Sequence, residues 1–476
     1  MSDLHGLAIE QWGLLLLVAW AVLGSMIFTL WLRFANLRCW STALALLRQS
    51  PLSQTGLTSR QALTTSLSGT VGLGNIAGVA IAITVGGPGA CLWMTVAGFL
   101  TMNTRLIECT LGQRYRQRQA DGTIVGGPMY YLAQGLARQG RARLGQGLAT
   151  AFALLLVLST LGSSSLFQSG QSYIALHQVL PQLPPWGYGG VMVLLVTLIT
   201  LGGVRRLGKV TERLVPLMCG GYILMALYVV LSHWTVIPEV VHTIVTEAFA
   251  PRAGLGGLLG VIAQGFRRAT FSNEGGLGTA AIAHAAVETE QPIEEGIVAT
   301  LEPCMDTLLI CNLTALAILV TGVESRPEFE QFTGVELTST AFGSVVGWFP
   351  GLLALVTFCF AFSTILSWGY YGQQAWCYLF GARSRRIYQT VQLGVIFAGV
   401  FISPAIVVEF SDAALLLMTV PNLLGLYFLA GEVKGQLDCY LASRLVSRRQ
   451  SRQSSHWPRP HFPPLPMMQW FAVQGD

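Results

Sequence analysis

Two stretches of this chain place polar, helix-breaking residues inside apolar sequence. The first is Gly69-Thr70-Val71-Gly72-Leu73-Gly74-Asn75, within the run TSLSGTVGLGNIAGVAIAITV at 65–85. The second is GFRRATFSNEGGLG at 265–278. Glycine costs about 1 kcal/mol in a helix interior relative to alanine. Each glycine cluster therefore predicts a local break. The chemistry a break offers is binding: unpaired N–H and C=O groups, with a half-helix N-terminus suited to an anion. In hydrocarbon such backbone is tolerated only where it is buried in protein or lines a polar cavity. Glu274 and Asp306 are carboxylates in apolar surroundings, where an ionisable group is a functional hypothesis by default. Ser363 and Thr364 are adjacent hydroxyls in FCFAFSTIL. They offer oxygen ligands to a cation, or they back-bond to their own helix.

Other chemistries find no support. The nine cysteines are scattered and form no C-x-x-C, so neither a metal knuckle nor a disulfide framework is expected. Gly276-Leu277-Gly278-Thr279-Ala280-Ala281 fits a G-x-G-x-x-A dinucleotide pattern but follows no strand, which makes the match accidental. There is no Walker motif, metal-ligand cluster or nucleophile elbow, and His284 and the other histidines stand isolated and read as structural. The expectation is a binding protein that is not an enzyme, with no cofactor and no nucleic-acid partner.

The elements that must position these groups are membrane helices. Apolar types make up 52 % of the 476 residues and charged types 11 %. A soluble protein carries about 25 % charged residues, so the fold class is an all-α polytopic membrane protein. Eleven spans are predicted: 12–32, 62–85, 88–111, 148–176, 187–204, 212–232, 257–284, 298–322, 342–366, 387–403 and 407–430. Met1–Gln11 has Asp3 and Glu10 but no Lys or Arg, and Arg33 and Arg38 follow the first apolar run. That reverses the signal-peptide pattern, so the first span is expected to be retained with its N-terminus outside. Alternating sides from there puts 24 of the 28 basic residues, Arg105 among them, in the cytoplasm. Arg252 and Arg326 fall outside, and Arg267 and Arg268 within a span. The inside loop 112–147 holds GGPMYYLAQGL at 126–136, read as a short surface helix or an ordered loop with aromatic anchors. The Arg-, Ser- and Pro-rich tail is expected to be disordered and in the cytoplasm.

Both interrupted spans open a set of five, spans two to six and seven to eleven. An odd number of crossings per set inverts one set relative to the other. That is the inverted repeat of many secondary transporters, in which paired broken helices mark the substrate site. The expected division is an N-terminal helix and linker over 1–60, repeats over 61–232 and 233–432, and a tail over 433–476.

The segments SGTVGLGNIAGVA (68–80), GGPGA (86–90), GGPMYYL (126–132), RRATFSNEGGLGTAAIAHAA (267–286), MDT (305–307) and FSTILSWGYYG (362–372) resemble the alanine/glycine:cation symporter family over nearly all of 60–430. The resemblance implies a leucine-transporter-type fold with one peripheral N-terminal helix. It also implies import of a small neutral amino acid, alanine or glycine, coupled to sodium or a proton, across a bacterial cytoplasmic membrane.

A zwitterion in a dry cavity needs donors for its carboxylate and acceptors for its ammonium. Amides around Gly72, Leu73 and Gly74 suit the carboxylate, with Thr70 and Asn75 adding side-chain bonds. Carbonyls from Phe271 to Gly275 suit the ammonium, with Ser272 and Asn273. Gln168 matches a family glutamine and would close the polar end. Phe271 and Trp368 are the walls expected to limit the substrate side chain, unless they serve ordinary packing. By resemblance, Ser363 and Thr364 join carbonyls near Gly69 and Gly72 to hold sodium. Glu274 braces the broken helix against Arg267 or Arg268 or responds to protonation, and Asp306 serves either role. Two positions depart from the family pattern: Gln373 where Glu is usual, and Leu73 where a small hydroxyl residue is common.

Overall fold

The computed structural model of the chain describes residues 2–49, 57–119, 122–249, 254–329 and 334–453. It comprises two compact units, Met1–Val433 and Lys434–Asp476, and the candidate site lies in the first. Arg252, linker residues 50–56 and the tail from 454 onward lie outside the described residues. The tail was expected to be disordered, yet helix Pro404–Gln453 includes its first part. There GEVKGQLDCYLASRLV is rich in good helix formers, and Lys434 pairs with Asp438 four residues on at 2.9 Å.

A helix lies across each predicted span. Ala142–Val179, Gly203–Ser232, Pro292–Thr321, Phe349–Phe380 and Pro404–Arg444 are long and apolar enough to cross a membrane. The bent pair Ser59–Thr70 and Gly74–Gly86 makes a sixth, and Leu15–Trp31 and Pro185–Thr200 are shorter apolar helices. The remaining three carry polar interiors or little length. Ala90–Arg114 includes Asn103, Arg105 and Glu108; Gly254–Asn273 is interrupted before Ala280–Ala285; and Arg385–Ala398 opens with two arginines. Helix Pro128–Arg138 occupies the 112–147 segment, after a two-stranded ribbon pairing Gln117–Arg118 with Ile124–Val125.

Much of the surface is apolar, and charged groups are also buried in an otherwise apolar interior, where each needs a partner. Leu217 is 75 % exposed and Leu224 71 %, whereas Arg105, Glu108, Glu302 and Asp306 are fully buried.

Each broken helix follows from its sequence. The first starts with a capping box: Thr58 Oγ1 accepts from Gln61 N at 3.1 Å and Gln61 Oε1 accepts from Thr58 N at 3.2 Å. It runs Ser59–Thr70, stops over Val71–Leu73, resumes as a π-turn at Gly74–Gly78 and continues as Val79–Gly86, with 49° between its arms. The second runs Gly254–Asn273 and resumes at Ala280–Ala285. Between them Glu274, Gly276 and Gly278 have φ of 54°, 84° and 77°. Such values suit glycine but strain a glutamate, which must be held by its surroundings.

Arg267 and Arg268 do not brace Glu274. Arg267 Nη2 lies 2.6 Å from Asp412 Oδ2, and Arg268 Nη2 bonds the same oxygen. The arginines sit two turns before the break, roughly 9–10 Å up the helix at 1.5 Å per residue, so their reach is toward helix Pro404–Gln453. Breaking a buried pair costs about 3–5 kcal/mol because the surviving charge stays buried. Asp412→Ala is therefore expected to lower the thermal midpoint of the purified protein clearly more than Arg267→Ala, whose side chain is 23 % exposed. Scanning fluorimetry in detergent checks this; equal losses would mean that Arg268 has a second counter-charge.

Candidate functional site

At the first break, side chains take up the freed amides. Gly72 N donates to Asn75 Oδ1 at 3.0 Å, and Leu73 N donates to Gln168 Oε1 at 3.1 Å. Gln168 arrives from the helix Phe167–Val179, just beyond a π-turn at Thr160–Leu166. The amides expected to receive a carboxylate thus already hold carboxamide oxygens. Thr70 takes no part: its hydroxyl back-bonds to Ser66 O and Leu67 O at 3.4 and 3.3 Å, the ordinary state of a helical threonine.

At the second break the carbonyls are similarly engaged. Arg105 Nη2 donates to Asn273 O at 2.6 Å, Asn422 Nδ2 to Gly276 O at 2.8 Å, and Leu277 N to Glu274 O at 3.0 Å. Asn273 is divided between Gly275 N, which donates to its Oδ1 at 2.8 Å, and Thr307 Oγ1, to which its Nδ2 donates at 3.2 Å.

Asp306 joins the two breaks. Asn75 Nδ2 donates to its Oδ1 at 2.6 Å; Ser272 Oγ and Thr307 Oγ1 donate to its Oδ2 at 2.8 and 2.7 Å. The residue lies in a π-turn, Cys304–Cys311, which rotates the carboxylate toward both broken helices. Glu274 holds a second junction. Trp368 Nε1 donates to its Oε1 at 2.7 Å, Thr279 Oγ1 bonds its Oε2, and Arg105 Nη2 stands 3.8 Å from that oxygen. Arg105 also faces Glu302 at 3.5 Å and Glu108 at 3.6 Å.

The hydroxyls of the helix Phe349–Phe380 divide. Thr364 Oγ1 donates across to Ser68 O at 2.9 Å, and Ser367 Oγ donates to Thr65 O at 2.9 Å and bonds Ser68 Oγ. Ser363 turns back to Phe360 O at 3.0 Å. The structure therefore gathers oxygens of Thr65, Ser68, Thr364 and Ser367 between the first broken helix and this one. Gly69 faces Tyr371 and Glu274, 3.4 and 3.6 Å from where its Cβ would be. Among the described residues no group of three or more His, Cys, Asp or Glu could hold a metal. Neutral oxygens of this kind suit a monovalent cation carried as cargo.

The packing between breaks is close. A Cβ on Gly72 would lie 2.6 Å from Thr364 Oγ1 and 3.3 Å from Gln168, and one on Gly74 would lie 3.2 Å from Phe271 and 3.3 Å from Ser272 Cα. Phe271 packs edge-on against Phe167 at 4.9 Å, with Arg268 over its face at 5.5 Å. Trp368 is buried beside Tyr371. A cavity of about 510 Å³ opens at the arginine-rich face, lined by Arg118, Arg205, Tyr370, Gln373 and Arg385 among others. A smaller one of about 200 Å³ lies beside Phe167, Gln171 and Phe401. Gln373, one of the two departures, accepts from Gln389 at 2.8 Å in the larger cavity's wall.

The sequence reading brought Gly72, Leu73, Gly74, Asn75, Gln168, Phe271, Ser272, Asn273, Trp368 and Asp306 to one region, and the structure places them together. It missed Arg105, counted with the cytoplasmic charges although within the span 88–111 and found buried in the helix Ala90–Arg114, and the partners Ser68, Ser367, Glu302 and Asn422. His284, read as isolated, bridges Glu295 and Glu302. The available signal was charge within a span: Arg105 lies inside the predicted span 88–111 and Glu302 inside 298–322.

Comparison with known proteins agrees with this architecture. Residues 5–454 match the model of the sodium:alanine symporter family. A sodium/alanine symporter of Methanococcus maripaludis is 35 % identical over 434 residues, covering 90 % of this chain and 94 % of its own. A probable sodium/glutamine symporter of Bacillus subtilis is 31 % identical, covering 92 % and 90 %. Among solved structures, MhsT in complex with L-phenylalanine superposes with a TM-score of 0.51 at 16 % identity, over 80 % of this chain and 89 % of that one. At that identity the likeness speaks to fold alone, and the fold is the leucine-transporter type, with its inverted repeat. The chain belongs to the sodium:alanine symporter family, a family of multi-pass membrane transporters.

Proposed function

We propose that this protein imports a small neutral amino acid, alanine or glycine, with sodium, by alternating access across a bacterial cytoplasmic membrane. Family membership supports sodium-coupled amino-acid transport. The observation that carries the finer reading is the apposition of the two helix breaks through Asp306, Asn75 and Ser272. In this reading the substrate carboxylate takes over the Gly72 and Leu73 amides, displacing the carboxamide oxygens of Asn75 and Gln168. Its ammonium takes carbonyls near Phe271, and Phe271 and Trp368 bound the side chain. The arginine-rich face is cytoplasmic and the N-terminus outside, and the repeats span 61–232 and 233–432. A snug apolar pocket gains only about 1–3 kcal/mol per fitted methylene. Size selection therefore comes from exclusion by these aromatic walls.

Uptake of labelled alanine into proteoliposomes tests the reading. Accumulation against its gradient is expected only with an inward sodium gradient, and excess unlabelled glycine is expected to compete far better than glutamine. Equal competition by glutamine would sink the size limit.

Thr364 and the carbonyls of Thr65 and Ser68 are the proposed sodium ligands, with Gly69 and Gly72 alongside. Ser363 bonds its own helix and is left out. Thr364→Ala is expected to raise the sodium concentration for half-maximal uptake about tenfold, the equivalent of roughly 1.4 kcal/mol, with Ser363→Ala close to wild type. Comparable shifts in both variants would refute this division.

Gly72→Leu is expected to abolish uptake while the protein still reaches the membrane, because even a Cβ meets Thr364 at 2.6 Å. Retained uptake by that variant would place the substrate elsewhere.

A further inference from the structure

The arginine-rich ends of the two broken helices are tied to each other. Leu57, just before the first, donates its N–H to Ala286 O at 3.0 Å and pairs in parallel with Val287. Ser59, the first residue of that helix, bonds Glu295 Oε1 through its hydroxyl. His284, near the end of the second broken helix, has Nδ1 2.8 Å from Glu295 Oε2 and Nε2 2.6 Å from Glu302 Oε1. All three side chains are buried, His284 and Glu302 completely.

These two contacts fix a proton count. A bare ring nitrogen and a carboxylate oxygen are both acceptors, so each contact is a hydrogen bond only with a proton between the two atoms. Neutral imidazole brings one proton, to one nitrogen. The pair of bonds needs a second proton, whichever nitrogen carries the first. The other charged and titratable groups around the site include Arg105, whose Nε faces Glu302 at 3.5 Å, Glu108 and Cys109 on the same helix, Glu274 beside Arg105, Tyr371, and Arg116, which bonds Val287 O and faces Glu295 at longer range. Glu302 keeps Arg105 at 3.5 Å whatever happens at His284, whereas Glu295 keeps the Ser59 hydroxyl and the longer-range charge of Arg116. The Glu295 side is therefore where the second proton is most easily given up.

We propose that His284, Glu295 and Glu302 form a binding site for an exchangeable proton, and that this proton latches together the ends of the two broken helices. With the proton bound, both bonds are made and the latch is shut. As pH rises and the proton leaves, a nitrogen lone pair faces the Glu295 carboxylate and that side parts. Leu57 and Ala286, joined just beside the latch, line the large cavity. Parting of the latch widens that cavity, which makes the proton a regulator of opening on the arginine-rich side.

Cys109 reports on this directly. It is fully buried and packs with Ala280 and Ala299, from the helices that carry His284 and Glu295. The experiment alkylates purified protein in detergent with N-ethylmaleimide from about pH 6 to about pH 9, a range that spans histidine and thiol titration. Labelling of the Cys109 peptide is followed by mass spectrometry. The comparison is Glu295→Gln, whose carboxamide donates to neutral imidazole without a second proton and still accepts from Ser59. The ratio of wild-type to Glu295→Gln labelling divides out thiol chemistry. It is expected to be near one at the acid end and to rise about fivefold at the alkaline end, the size of effect one net hydrogen bond supplies. A ratio that does not change with pH overturns the proposal. His284→Ala removes both bonds and is expected to label rapidly throughout, its excess over wild type shrinking as pH rises. A constant excess, or none, also overturns the latch. Neither readout depends on which amino acid is carried.

Discussion

Backbone that leaves the helix inside a membrane exposes groups that water cannot reach, and every one of them must be answered by the protein. Much of this molecule's interior is an answer to that requirement, made at two places. Asn75 and Gln168 take the amides of Gly72 and Leu73; Arg105, Asn422 and Asn273 take Asn273 O, Gly276 O and Gly275 N. Most of these partners come from other helices. The breaks are thus inseparable from the packing of Ala90–Arg114, Phe167–Val179 and the helix beginning at Pro404.

The partners need partners of their own. A guanidinium placed at Asn273 O would be far too costly alone, and Arg105 is surrounded by Glu108, Glu274 and Glu302. Asp306 carries the opposite problem, a buried carboxylate with no cation in contact among the described residues, and is satisfied by three neutral donors from three segments. Hydrogen bonds to a charged acceptor are about twice as strong as neutral ones. Asp306 therefore holds Asn75 and Ser272 in register more firmly than packing alone would.

The sequence revealed the breaks because glycine clusters are a local signal, and it revealed the order of helices because apolar run length is another. It did not reveal which ions pair. Arg267 and Arg268 are near Glu274 in sequence but on the far side of two helical turns, while Arg105, distant in sequence, is its neighbour in space. Side-chain direction also escaped it: Thr70, Ser363 and Thr364 are alike on paper, and of the three Thr364 is the one that reaches an oxygen of the first broken helix. The role of Arg105 was hidden for a related reason: inside the predicted span 88–111 it reads as a cytoplasmic end charge until three acidic partners are known to lie beside it.

The occupied amides bear on how a transporter of this kind would select its cargo. Binding a carboxylate at Gly72 and Leu73 exchanges one oxygen acceptor for another, so the net gain per bond is small, of the order of 1 kcal/mol. A released Gln168 must then find a new donor, and the incoming ammonium is the nearest chemically suited one. On that account the free carboxylate and the free ammonium are both required, since either alone leaves a buried polar group unmatched at a cost of about 1–3 kcal/mol. In the proposed reading, size is decided separately, by Phe271 against Phe167 and by the glycines that bring the two breaks within contact. Head-group recognition and side-chain exclusion thus rest on different residues. A change at the aromatic wall can alter which amino acid is carried while leaving intact the backbone that holds it.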